Sequence, residues 1–163
     1  MSLAHLRMCI ASALLALSPL AAAAQTPPST LYVNEHYDPR ANPYRDLERA
    51  IARASAENKR ILIVVGGDWC VWCEVLDLHL ARNADVRTAF ERSFLLLKVN
   101  YSRQNENIAF LSGFPPSAGY PDFFILDANG AYLGHQPTDA LENGRGYDHV
   151  RMLAFATRWS VDE

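Results

Sequence analysis

The sequence has 163 residues, 15 Lys/Arg against 18 Asp/Glu for a net charge of −3, and is 50% hydrophobic. The acidic balance, with no basic stripe, excludes a nucleic-acid-binding face, and the hydrophobic share excludes a disordered chain. Three cysteines are too few for the many-bridged framework of a small secreted scaffold.

Residues 1–24 read as a cleaved secretory signal peptide. His5 and Arg7 form a short n-region, an apolar run follows from Met8 to Leu20, and Ala22 and Ala24 before Gln25 fit a signal-peptidase site. The run is shorter than the roughly 20 apolar residues that a spanning helix needs, so no membrane span is expected after cleavage. Residues 25–42 read as a lead-in that starts with a Pro/Ser/Thr-rich stretch, and 43–163 as one domain. An exported, periplasmic protein is expected, and a monomer.

Asn42-Pro43 offers a capping side chain followed by proline at the first helical position, and Leu47, Ala50, Ile51 and Ala54 recur at helical spacing up to Asn58. Ile61–Val65 is an uninterrupted apolar run, mostly β-branched, that predicts a strand buried on both faces. After Gly66-Gly67-Asp68 a helix is predicted from near Cys70 to Arg82, with Val71, Val75, Leu78 and Leu76 on its core face. Asn83 is placed to cap a further helix, Asp85 to Arg92. Phe94–Val99 reads as a second buried strand, Gln104–Leu111 as a short helix and Gly113–Gly119 as a loop. Phe123–Leu126 and Ala131–Leu133 around Asn129-Gly130 predict a β-hairpin. Asp148 caps a last helix that carries Met152, Phe155 and Trp159 on one face. The order α-β-α-β-α-β-β-α implies an α/β fold: a central mixed sheet with helices on both faces, ending in a hairpin plus helix.

Removing 1–24 removes Cys9 and leaves Cys70 and Cys73 as the only cysteines. They sit where a buried strand turns into a helix. Backbone N–H groups and the helix dipole there favour negative charge, so Cys70 is expected to be an acidified, attacking thiol and Cys73 the resolving one. A zinc site would need two further ligands at suitable spacing, and His36, His79, His135 and His149 are scattered singly. A bridge across two intervening residues closes too small a loop to be an effective staple. Redox chemistry fits the strand-then-helix setting best.

Trp69-Cys70-Val71-Trp72-Cys73 after Ile61–Val65 resembles the active-site turn of the thioredoxin superfamily. Gly119-Tyr120-Pro121 before Phe123–Leu126 resembles its cis-proline loop, and Lys98-Val99-Asn100 the end of its second central strand. The resemblance spans about Tyr44 to Trp159 and is closest to exported single-domain members with a Gly-x-Trp-Cys-x-x-Cys turn. It implies a thioredoxin-like fold, a cis Pro121 that packs beside the cysteine pair and keeps metal away, and Tyr120 pairing through its backbone with an extended substrate. Trp69 and Trp72 offer an apolar surface to a partner, although core burial of one of them is an equal alternative. Two departures stand out. The family's buried acid, six positions ahead of the first cysteine, is replaced by Val64, and Glu74 and Asp68 read as solvated charges rather than substitutes for it. Val71-Trp72 brings no charge between the cysteines, which points to an intermediate to reducing potential.

The expected function is thus a dithiol–disulfide oxidoreductase acting on protein thiols and disulfides, as a reductant. No cofactor is expected, since no flavin or nicotinamide motif is present, and a separate membrane-bound electron donor is implied. The alternatives are an oxidase or isomerase, or a thioredoxin-fold binding module for a client or a soft metal ion such as Cu(I).

Overall fold

The computed structural model describes residues 31–161; the leader reading of 1–24 lies outside them. Strand β1 is Tyr32–Asn34, helix α1 Pro43–Glu57, strand β2 Arg60–Gly66, helix α2 Val71–Arg82, helix α3 Ala84–Ser93 and strand β3 Phe94–Asn100. Then come the single turn α4 Ile108–Leu111, strands β4 Asp122–Leu126 and β5 Tyr132–Pro137, a 3₁₀ turn Thr138–Leu141, the short pair β6 Glu142–Asn143 and β7 Gly146–Tyr147, and helix α5 His149–Arg158. The main sheet has the order β1-β3-β2-β4-β5. Strands β1, β3 and β2 run parallel, while β4 is antiparallel to β2 and β5 to β4. The architecture is the mixed, two-sided α/β sheet that the alternation of elements predicts.

Strand pleating divides the core in two. Leu62, Val64, Phe94, Leu96, Phe123 and Ile125 point to one face, where α2, α3 and α5 cover them. Ile61, Ile63, Val65, Leu95, Leu97 and Phe124 point to the other, under Ala50 and Ala54 of α1 and Phe110 of α4. Because both faces are covered, the central strands read as continuous apolar runs with no alternation.

Several local expectations are corrected. The 25–42 segment contributes β1, which pairs with β3, and the core side chains Leu31 and Tyr37. Helix α2 buries Cys73, Leu76 and Leu80, while Val71 is 71% exposed and Leu78 is also exposed. Its core face is set by the stripe 73, 76, 80, because Cys73 must turn inward to meet Cys70. The helix expected over Gln104–Leu111 shrinks to its last turn. Ahead of it, Ser102 and Asn105 exchange backbone hydrogen bonds, and Asn107 takes left-handed angles. Asn83 stands at the start of α3 without capping it; its amide donates back to the His79 carbonyl at 2.8 Å. In the hairpin turn Asp127 accepts from Asn129 N and Ala131 N, both at 2.8 Å, and Gly130 supplies the positive φ of 86°.

The cap of α1 is as expected: Asn42 Oδ1 accepts from Tyr44 N at 3.0 Å and Arg45 N at 3.3 Å, with Pro43 following. Asn42→Ala is expected to lower stability by about 1 kcal/mol, read as a shifted urea midpoint at unchanged slope, whereas Asn42→Asp should be nearly neutral.

Candidate active site

Strand β2 ends at Gly66, and Gly67-Asp68-Trp69 carries the chain to Cys70. That turn is fixed at both sides: Cys70 N donates to Gly67 O at 2.9 Å, and Tyr101 N donates to Gly66 O at 2.6 Å. Cys70 is the N-cap of α2, with extended angles (φ −90°, ψ 102°), and its sulfur accepts from Cys73 N at 3.1 Å. Cys70 and Cys73 form a disulfide with Cα atoms 5.2 Å apart. Both are buried, 6% and 3% exposed, within the core face under α2. A sulfur that already accepts a backbone N–H at a helix start is placed where a thiolate would be stabilised.

The two tryptophans part company. Trp69 is 55% exposed, and its Nε1 donates to Tyr101 O at 2.7 Å. Its ring meets Tyr120 edge-on with centroids 5.5 Å apart, and Tyr120 stacks on Tyr101 at 5.0 Å. Trp72 is half-buried and packs edge-on against Tyr147 at 5.7 Å. The Tyr120 hydroxyl is pushed up to about 12, by burial first and then by Tyr101, so it stays neutral. A cleft of about 570 Å³ opens between Trp69, Tyr101 and the 102–106 loop.

The Tyr120–Pro121 peptide bond is cis. Strand β4 pairs with β2 up to Val65–Asp122, so the register runs on to set Pro121 beside Gly66, at the strand end that leads to the cysteines. Thr138 Oγ1 donates to Pro121 O at 2.6 Å and ties this loop to the 3₁₀ turn. Tyr120 and Pro121 line a second cleft of about 240 Å³.

Val64, where the resemblance would place an acid, is fully buried on the cysteine side of the sheet. Asp68 and Glu74 are exposed, in keeping with solvated charges. They nevertheless border a cavity of about 220 Å³ that also touches Tyr37, Gly67, Cys70, Cys73 and Asp77. Sequence reasoning missed two of these groups. Asp77 receives Lys98 Nζ at 2.7 Å, and that lysine also donates to Glu35 O at 2.9 Å and lies over the rings of Tyr32 and Tyr37. A lysine inside an otherwise apolar strand was the available signal, since a buried charge requires a partner. Tyr37 gave no signal at all.

Two of the histidines come together, the rings of His79 and His149 meeting edge-on with centroids 6.5 Å apart. His36 is exposed, and His149 bonds Asp85 at 2.8 Å. His79 is half-buried, with its basicity lowered by burial and by His149. His135 lies on β5 and bonds both oxygens of the buried Asp122 at 2.8 and 2.9 Å.

Residues 42–128 match the family model described as thioredoxin-like. The chain belongs to that thioredoxin-like family. A disulphide isomerase from Xylella fastidiosa superposes with a TM-score of 0.64 at 21% identity, over 77% of this chain and 96% of that one. The oxidised DsbD C-terminal domain of Neisseria meningitidis gives 0.54 at 15%, over 73% and 97%. A DsbH oxidoreductase gives 0.51 at 19%, over 82% and 91%. At these identities the likeness is one of fold, and no curated protein matches the sequence. The thioredoxin-like chain therefore combines the family's fold with a Cys-x-x-Cys disulfide at a helix N-terminus, the arrangement of a disulfide oxidoreductase.

Proposed function

We propose that this chain is an exported thiol–disulfide oxidoreductase that reduces disulfides of protein partners in the periplasm. The observation that carries the reading is the seat of Cys70, an N-cap sulfur receiving the Cys73 N–H at 3.1 Å beside its disulfide partner. In the reduced protein the Cys70 thiolate attacks one sulfur of a substrate disulfide. A mixed disulfide forms and the other substrate sulfur leaves as a thiolate. Cys73 Sγ then attacks Cys70 Sγ, so that the protein disulfide forms and the second substrate thiolate departs. Two electrons pass to the substrate, and the cysteine pair is left oxidised, as in this structure.

Trp69, Trp72, Tyr120 and Pro121 are the proposed substrate-seating residues. Exposed Trp69 braced on Tyr120 supports an apolar platform, and the backbone of Tyr120 would take an extended segment. Trp72, half-buried against Tyr147, contributes only its edge. The reductant direction is supported by Val71-Trp72, which places no charge between the sulfurs. Recharging then needs a donor elsewhere, proposed to be membrane-bound. No helix among the described residues is long and apolar enough to cross a membrane. Periplasmic export rests on reading 1–24 as a cleaved leader. The equilibrium potential against glutathione tests the direction. A value between about −180 and −270 mV is expected, and one near −120 mV would make the chain an oxidase.

A further inference from the structure

Tyr37 follows β1 and is 5% exposed, and its hydroxyl has no hydrogen-bond partner among the described residues. A buried hydroxyl without a partner is costly to retain, so its surroundings bear on what it is for. A side chain added at Gly66 would fall against Cys73 Sγ and lie 3.1 Å from both Cζ and Oη of Tyr37. The phenol oxygen and the Cys73 sulfur thus border one small space, open only because residue 66 is glycine. The same two groups line the cavity beneath the disulfide.

The charged and titratable groups around this space come from five directions. They are Asp77 and Glu74 on α2, Asp68 on the turn before it, Lys98 on β3 with its ammonium 5.1 Å from the Tyr37 ring centre, Tyr32 on β1, and Tyr147 on β7. Burial first, then Asp77, Tyr147, Tyr32 and Asp68, hold the Tyr37 hydroxyl far above its ordinary range. It therefore keeps its proton at any working pH, and toward a sulfur anion it can act only as a donor.

We propose that Tyr37 is a positioning residue for the resolving cysteine, donating a hydrogen bond from its hydroxyl to Cys73 Sγ whenever that sulfur carries the charge. The inference rests on the oxidoreductase reading above. It applies in both directions of exchange. When Cys73 attacks the Cys70–substrate disulfide, the bond favours the thiolate over the thiol. When a donor thiolate attacks Cys70 in the oxidised protein, the Cys70–Cys73 bond breaks and Cys73 departs with the electron pair into the same hydrogen bond. Val64 leaves β2 without an acid to serve that sulfur, and the Tyr37 hydroxyl lies in the same core face as both.

The test uses protein carrying Cys9→Ala, so that only the paired cysteines react. With Cys70→Ser added, the Cys73 thiolate is titrated by its ultraviolet absorbance. Tyr37→Phe is expected to raise the midpoint by about one pH unit, a roughly tenfold loss of thiolate near neutrality. Substituting 3,5-difluorotyrosine at 37 preserves the ring and strengthens the donor, and should lower the midpoint. A packing role alone would not move the two variants in opposite directions, and an unmoved midpoint in the fluorinated protein overturns the proposal even if Tyr37→Phe unfolds. With both cysteines present, Ellman's reagent releases its first thiolate by attack of Cys70 and its second by attack of Cys73. Tyr37→Phe should slow the second release about three- to fourfold, the loss of thiolate being partly offset by its greater nucleophilicity, and leave the first unchanged. Absence of the first release in every protein would defeat the oxidoreductase reading instead, while the Cys73 titration still decides Tyr37.

Discussion

Cys70→Ser is expected to abolish reduction of insulin disulfides by the dithiol form, a loss of at least about 10³-fold, because a hydroxyl in place of the sulfur is not ionised at neutral pH. The substitution replaces one small buried atom at an N-cap, and serine is a good N-cap residue, so the fold should survive. Cys73→Ser has a different signature. Cys70 keeps its seat at the start of α2 and still attacks, but nothing displaces the captured partner. Mixed disulfides should therefore accumulate, visible as reductant-sensitive adducts and identifiable by mass spectrometry. The two outcomes follow from one asymmetry: Cys70 caps the helix, whereas Cys73 lies one turn inside it on the stripe shared with Leu76 and Leu80. Full turnover by Cys70→Ser, or adducts that form through Cys73 when Cys70 is intact, would show that the roles are reversed or that the chemistry lies elsewhere.

Features confined to short stretches of chain were legible in the sequence, and those assembled from distant stretches were not. Ile61–Val65 and Phe94–Val99 read as strands because burial on both faces leaves only apolar residues in them. The Cys-x-x-Cys turn was legible for the same reason, since its meaning depends on the strand before it and the helix after it. Strand β1 has three residues, half-buried at a sheet edge, and is recognisable only through its pairing with β3 and the 2.7 Å bond from Arg53 Nη1 to Tyr32 O. The face of α2 is half legible: Leu76 is buried and Val75 packs against the core as expected, whereas Val71 and Leu78 are apolar yet exposed, and Cys73, which fixes the face, reads as chemistry rather than packing. The aromatic brace joins residues 69, 101 and 120, and the Tyr37 space joins 37, 66 and 73. No periodicity connects such positions. Lys98 lies between these cases, since its charge announces a partner but does not identify Asp77.

Phe155→Ala should be the most destabilising single change in the core that supports the site, at about 3–5 kcal/mol. The residue is 4% exposed on α5, and its ring meets Phe94 at 5.5 Å, Phe123 at 5.5 Å and Phe90 at 5.8 Å. Those three belong to β3, β4 and α3, so one side chain joins a helix pair to two strands of the sheet face that also seats the cysteines. Removing it leaves a cavity walled by rings whose backbones are held by strand pairing and by the 2.9 Å bond from Ser93 Oγ to Ala156 O, so little collapse can refill it. Against a total stability of about 5–15 kcal/mol, the loss should lower the urea midpoint by roughly 2 M. Val150→Ala on the same helix supplies the contrast. That side chain is 72% exposed, and its truncation should stay within about 0.5 kcal/mol. Equal midpoints for the two variants would mean that α5 does not bear on this core. Reduced and oxidised proteins should lose similar amounts, because the ring contacts of Phe155 are with Phe90, Phe94 and Phe123 and closing the short Cys70–Cys73 loop constrains the unfolded chain little.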